Sequence, residues 1–205
     1  MIPEKISKMC DNRFATHKAT LVQNTDLYLI IDWRRADGSE EYYVNYILDK
    51  DRGSLIVSGD LGSSIATWHY AVDPEQLKCW IKNDIGYYIS KMQCTTNMYD
   101  RDEESIVADI KDHLKGCDAL DIFNAYKRCF SNYPDTAEEL WEFLEIDVGE
   151  CLYGDEFVPS KNLTEFCIEL DADYYEWLYS CGKRINPRVY LWADGFYKAC
   201  KQLWI

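Results

Sequence analysis

The sequence predicts an α+β protein: an N-terminal antiparallel β-meander packed by a helix, followed by an acidic helical half. Three observations carry that expectation. Residues 27–59 alternate apolar and polar side chains with a period of two and are broken by turn chemistry. From Asp73 onward, apolar residues recur every three to four positions behind helix-start signals. Charge is unevenly spread: of the net −14, residues 1–100 carry −3 and residues 101–205 carry −11.

The strands come first. "ATLVQNTDLYLIIDW" holds two strand segments, the second with Leu27, Leu29, Ile31 and Trp33 on one face and Tyr28, Ile30 and Asp32 on the other. Asp37-Gly38 is a two-residue hairpin signal. "EEYYVNYILDK" then sets Tyr42, Val44, Tyr46 and Leu48 against Tyr43, Asn45 and Ile47. "DKDRGS" marks a second turn and "SLIVSG" a third strand. Such a meander needs one face covered.

Helices follow. Asp73-Pro74-Glu75-Gln76 combines an Asp cap, Pro at the first helical position and Gln three residues after the cap. Leu77, Trp80, Ile81, Ile85, Tyr88 and Met92 then predict one amphipathic helix against the sheet. Ile106, Ile110 and Leu114 mark a second helix; Leu120, Phe123, Tyr126 and Phe130 mark a third. Thr136 to Glu139 is a capping-box pattern that opens a fourth. Phe166, Leu170, Tyr174, Trp177 and Cys181 define a fifth, and Asn186-Pro187 starts the last, which buries Val189, Trp192, Phe196 and Leu203. The polar stretch "CTTNMYDRD" is the best boundary, so the expected division is residues 1–96 and 97–205, as two domains or one continuous domain.

Composition narrows the function classes. No apolar run approaches the roughly 18 residues of a membrane span, and the N-terminus has no apolar signal region. A cytoplasmic protein of the bacterial host cell, without a membrane partner, is expected. Nine cysteines cannot all pair within the chain, and no Cys-x-x-Cys or zinc spacing occurs. Cys129, Cys167 and Cys200 fall on apolar helix faces and read as small hydrophobes.

Four stretches could carry small-ligand chemistry or catalysis. "SGDLGSSIATWH" has the glycines and serines of a phosphate cradle but no Walker lysine. Asp60, Ser63 or Ser64, and His69 are triad residue types without a nucleophile elbow. Asp171 and Asp173 begin like a calcium loop that lacks its Gly and terminal Glu. Arg34-Arg35 with Tyr42 and Tyr43 resembles a single-strand-binding patch, but Asp32, Asp37, Glu40 and Glu41 surround it. Turns, a packed histidine, a continuing helix and a solvated hairpin end are the plainer readings. No catalytic, metal or cofactor site is assigned, which favours a protein that works by binding.

The acidic half is the candidate working surface. "TAEELWEFLEIDVGECLYGDEF" holds eight acids and no Lys, Arg or His. Between Asp135 and Glu176 there are 14 acids against one base, Lys161. Glu138, Glu142 and Glu145 recur at spacings of four and three, on one face of a helix; Asp147, Glu150, Asp155 and Glu156 follow. Glu165, Glu169, Asp173 and Glu176 repeat the spacing on the next helix. Like charges so placed cost roughly 0.2–0.5 kcal/mol per pair, and acids at a helix C-terminus oppose its dipole. Rows of carboxylates imitate phosphates, which recur about every 3.4 Å along a DNA strand. Such a field repels nucleic acid and attracts a basic protein. Tyr153, Phe157, Tyr175 and Tyr179 supply the aromatics that binding hot spots favour. The plain alternative is an acidic surface that keeps the protein soluble.

The stretch "DLYLIIDWRRADGSEEYYVNYILDKDRGSLIVSGDLGSSIATWH" resembles small acidic proteins carried by phages, prophages and conjugative elements, similar to anti-CRISPR inhibitors of type II RNA-guided nucleases. The resemblance covers Asp26 to about Cys94 and assigns no binding residue. It implies a non-enzymatic inhibitor whose carboxylates face the arginines and positive channel of such a nuclease. Two other readings stay open: an immunity protein or antitoxin against a nuclease toxin, and a small enzyme with a dispersed carboxylate site. Sixteen tyrosines and seven tryptophans also leave room for a homodimer.

Overall fold

A computed structural model gives the architecture and describes residues 2–154 and 156–205. The chain forms helix α1 (Glu4–Arg13), strands β1 (His17–Asn24), β2 (Tyr28–Arg35), β3 (Val44–Asp49), β4 (Ser54–Gly59) and β5 (Ser64–Thr67), helices α2 (Pro74–Asn83) and α3 (Ile85–Ser90), and strand β6 (Met92–Thr95). It continues through β7 (Tyr99–Asp100), α4 (Glu103–His113), α5 (Ala119–Cys129), α6 (Leu140–Gly149), β8 (Leu152–Tyr153), β9 (Glu156–Phe157), α7 (Lys161–Leu170), two short 3₁₀ turns and β10 (Arg184–Ile185). The last helix is α8 (Pro187–Leu203). The expected α+β class is therefore the observed one.

Two compact units result: residues 1–98 with 186–205, and residues 99–185. The chain leaves the first unit close to the expected boundary, but α8 returns to it. The acidic unit therefore ends at Ile185 rather than at the end of the chain.

The first unit is a six-stranded meander in the order β1-β2-β3-β4-β5-β6, every neighbour antiparallel. The expected alternation sets its register: Leu29 lies opposite Leu48, Ile31 opposite Tyr46 and Trp33 opposite Val44. These six side chains are buried on one face. Asp37-Gly38 does not close a two-residue hairpin, because the β2–β3 pairing ends at Trp33–Val44. The Asp37 carboxylate instead accepts from the Ser39 N–H at 2.9 Å, and the Tyr42 N–H donates to Asp60, tying this connection to the β4–β5 turn. In the β3–β4 turn Gly53 has φ +59°, and a Cβ there would stand 1.9 Å from the Tyr70 carbonyl oxygen, so the position requires glycine.

The Asp73 capping box forms as the sequence predicts, with both reciprocal hydrogen bonds in place. The single helix expected from Leu77 to Met92 is two helices. Asp84 leaves the helical conformation, with φ −145° and ψ 72°, and its carboxylate caps the Tyr87 N–H. The pair packs inward through Trp68 stacked on Trp80.

The sheet's main cover is α8, which packs on β1, β2 and β3 and against α1 and α2. Asn186 caps it by accepting from the Arg188 N–H, with Pro187 at the first helical position. The Tyr46 hydroxyl donates to the Trp192 carbonyl at 2.9 Å. The Gln202 carboxamide accepts from Ala19 N–H and donates to His17 O, clamping the helix end to β1.

Gly195 gives α8 its close approach. A Cβ there would meet the Tyr46 hydroxyl at 2.3 Å. Gly195→Ala is expected to destabilise the first unit by about 1–3 kcal/mol through overpacking. Tyr46→Phe removes the atom in the way. In urea denaturation the Gly195→Ala/Tyr46→Phe double variant should therefore be more stable than the sum of the single changes requires, with a coupling of about 0.5–3 kcal/mol.

Candidate acidic interface

Division of the chain into units separates its charge completely. Residues 99–185 hold 22 acids and 8 bases, a net of −14; the first unit holds 14 of each and is neutral. The whole net charge of the protein therefore sits on the second unit.

That unit is a helical assembly in which α4 packs on α6 and α5 on α7. Ile110, Tyr126, Leu144, Leu163 and Phe166 are among its buried core residues. Two-stranded pairs close it: β7 with β10, joining its two ends, and β8 with β9.

α6 starts at Leu140, three residues later than the Thr136 cap predicts. Thr136 Oγ1 does accept from the Glu139 N–H, at 3.4 Å, but residues 136–139 form a turn rather than helix. Glu138 therefore precedes the helix, and Glu142 and Glu145 alone of the expected trio lie on it. All three are exposed and have no ion-pair partner among the described residues. Beside them Ile146 is 66% exposed, an apolar residue standing among carboxylates. Glu150 caps the helix C-terminus and is exposed. Exposed Tyr153 lies opposite exposed Glu156 in the β8–β9 pair. Asp155 lies outside the described residues.

Asp147 does not join this surface. The Tyr126 hydroxyl donates to its Oδ2. Burial raises the Asp147 pKa, and burial together with this hydrogen bond pushes the Tyr126 phenol far above its ordinary value.

The second expected row also changes. Glu169 accepts from Arg128 Nε at 2.8 Å and Nη2 at 2.5 Å, and this guanidinium lowers its pKa. Glu165 stands 3.5 Å from Lys161. α7 stops at Leu170, because Asp171 is extended and its carboxylate takes the Asp173 N–H at 2.9 Å and the Trp177 indole N–H at 2.8 Å. These bonds hold the Asp171 pKa below the usual range, the indole N–H most strongly. Asp173 and Glu176 consequently sit in turns, exposed, and not on a helix face with Glu165 and Glu169. The same bonds commit Asp171 to holding a turn rather than to a calcium loop.

One base outside the acidic window, Arg128, takes Glu169; Lys161 inside it meets Glu165, and helix ends and burial account for the other changes. Arg184 pairs with Asp109 through two contacts of 2.6 and 2.8 Å, and the Gly182 N–H reaches the same carboxylate. The structure also adds an acid that local counting missed: Glu103, at the start of α4, passes beside Gly149. Of the acids expected at this surface, Glu138, Glu142, Glu145, Glu150, Glu156, Asp173 and Glu176 have no ion-pair partner among the described residues.

The other candidate stretches do not assemble. The Asp60 carboxylate accepts from Tyr42 N–H, and the His69 ring meets Gln93 at 3.2 Å. Ser64 begins β5 with its hydroxyl buried. In the Gly59–Ser64 turn the Gly62 N–H bonds Gly59 O and the Ser63 N–H bonds Thr96, so these amides are taken. Arg34 pairs with Asp32 at 2.6 Å and Arg35 with Glu41. Cys167 and Cys200 are fully buried, and burial pushes the Cys200 thiol up to about 12; the half-buried Cys129 thiol donates weakly to Glu169. Among the described residues, no helix is long and apolar enough to cross a membrane. No family model, curated protein or solved structure matches the chain.

Proposed function

We propose that the protein is a non-enzymatic inhibitor that occupies the basic nucleic-acid channel of a partner nuclease with the acidic face of its second unit. The observation that supports this most is the segregation of charge: one unit carries −14 and the other none. A need for solubility alone does not ask for such segregation, since carboxylates spread over both units would serve equally well. A field concentrated on one unit steers a basic partner toward that unit. Exposed Ile146 and Tyr153 among unpaired carboxylates offer the apolar contacts that long-range attraction lacks.

The partner class is a basic nucleic-acid-binding protein, foremost an RNA-guided nuclease whose channel is built for a phosphate backbone. The protein itself would avoid nucleic acid, being of like charge.

The test is cleavage of target DNA by a type II RNA-guided nuclease titrated with the protein. The triple variant Glu138→Gln/Glu142→Gln/Glu145→Gln is expected to inhibit at least about tenfold less well, a loss of about 1.4 kcal/mol. Glu165→Gln/Glu169→Gln should inhibit nearly as the parent does, because those carboxylates are already paired. Inhibition should weaken as salt is raised above 0.15 M, where the screening length is about 8 Å. Full potency in the triple variant would remove α6 from the mechanism.

A further inference from the structure

The first unit carries a concavity of the opposite sign. α2 and the C-terminal part of α8 border an open cleft of about 830 Å³, within the roughly 300–1,000 Å³ of small-molecule sites. Its floor is aromatic: Phe14 and Trp33 are both buried and meet edge to face with centroids 5.7 Å apart. Four lysines line it against one acidic side chain, Glu75, in a protein that is otherwise strongly acidic.

The lysines are not equivalent. Lys78 is bound to Glu75 at 2.6 Å and to the Ile205 carbonyl. Lys198 is bound to Asp11 at 2.7 Å and to Asp194. Lys82 and Lys201 are exposed and have no carboxylate partner among the described residues. Two committed lysines therefore build the wall, and two free ones face solvent at its rim.

Two further observations point to a ligand. Trp33 is 1% exposed, and its indole N–H has no hydrogen-bond partner. A buried donor left unpaired is costly, and Trp33 is one of the residues that line the cleft. At the rim, Trp204 is 95% exposed and held in a left-handed backbone conformation, φ +59°, that ends α8. An indole left in water on the lip of a lysine-lined cleft is a ready stacking surface for a flat ring. Asn83, whose amide N–H₂ donates to Cys79 Sγ, keeps its carbonyl oxygen as an acceptor.

We infer that this cleft binds a small anionic ligand with a planar ring, of mononucleotide size: the ring stacks on Trp204 and the anionic group lies between Lys82 and Lys201. The Gly59–Ser64 turn has no lysine, and its Asp60, Gly62 and Ser63 amides are already bonded. The site belongs to the neutral unit.

The test uses the full-length protein, tryptophan fluorescence and calorimetry, with AMP and UMP as probes and adenosine and inorganic phosphate as their separated halves. Saturable binding of a mononucleotide is expected, with adenosine and phosphate each at least about tenfold weaker. Lys82→Gln/Lys201→Gln and Trp204→Ala should each weaken the mononucleotide about tenfold or more, while both variants melt with the parent because the three side chains are exposed. Three results overturn the inference: no saturable binding of either mononucleotide up to about 5 mM; phosphate alone binding as well as AMP; or affinity unchanged in the double lysine variant.

Discussion

Removing residues 99–185 and joining Met98 to Asn186 through a short Gly-Ser linker is expected to leave a folded, neutral domain that captures no basic partner. The junction is favourable because the Asn186 N–H already donates to the Met98 carbonyl at 3.0 Å, so the two cut ends are adjacent. All six strands and α8 remain, and with them the contacts that bury the sheet's inner face. The charge left is 14 acids and 14 bases, so the shortened protein should lose its strong retention on an anion-exchange column. The excised piece has its own closure: Tyr99 pairs with Ile185 and Asp100 with Arg184 in the β7–β10 ladder. Produced alone, it should bind the partner, and mutual repulsion of its carboxylates should make it melt higher as salt rises. Circular dichroism melts and a pull-down on an immobilised RNA-guided nuclease check both halves. Capture by the neutral domain, or failure of a folded acidic piece to bind, would place the interface elsewhere.

Much of the first unit was legible because a meander is a local fold. Alternation in residues 27–59 assigns each side chain to a face, and each strand pairs with its sequence neighbour. What was not legible is where α8 goes. Asn186-Pro187 announces its start, but its apolar spacing is that of any buried helix, and nothing local says that it leaves the acidic half to cover a sheet formed more than a hundred residues earlier. The acidic surface shows the same limit. A window from Asp135 to Glu176 finds one base, yet Arg128, just outside it, neutralises Glu169. Asp147 did carry a signal: it stands seven residues after Leu140 and three after Leu144, on the helix face that is buried. The break at Asp171 carried one too, since Asp followed two residues later by Asp is a turn-forming spacing as well as the start of a metal loop.

Trp192→Ala is expected to be the most damaging single truncation in the first unit, costing about 3–5 kcal/mol. Trp192 is fully buried on α8, the helix that meets three strands and two other helices. Its removal takes away a large apolar surface and leaves a cavity that packed neighbours on several sides cannot all collapse to fill. Its carbonyl also anchors Tyr46, so a shift of the backbone to close the cavity would loosen that hydrogen bond. The comparison that gives the experiment its force is Trp204→Ala, the same chemical change just past the end of the same helix. Trp204 is 95% exposed, and its truncation should stay within about 0.5 kcal/mol of the parent. Urea denaturation of the two variants and the parent measures the difference, with an unchanged slope showing that the denatured state is the same. A large gap between the two tryptophans means that α8 is the cover on which the sheet depends. Equal and small costs would mean that the sheet holds together without it, and the returning helix would then be a passenger on a meander stabilised by its own cross-strand pairs.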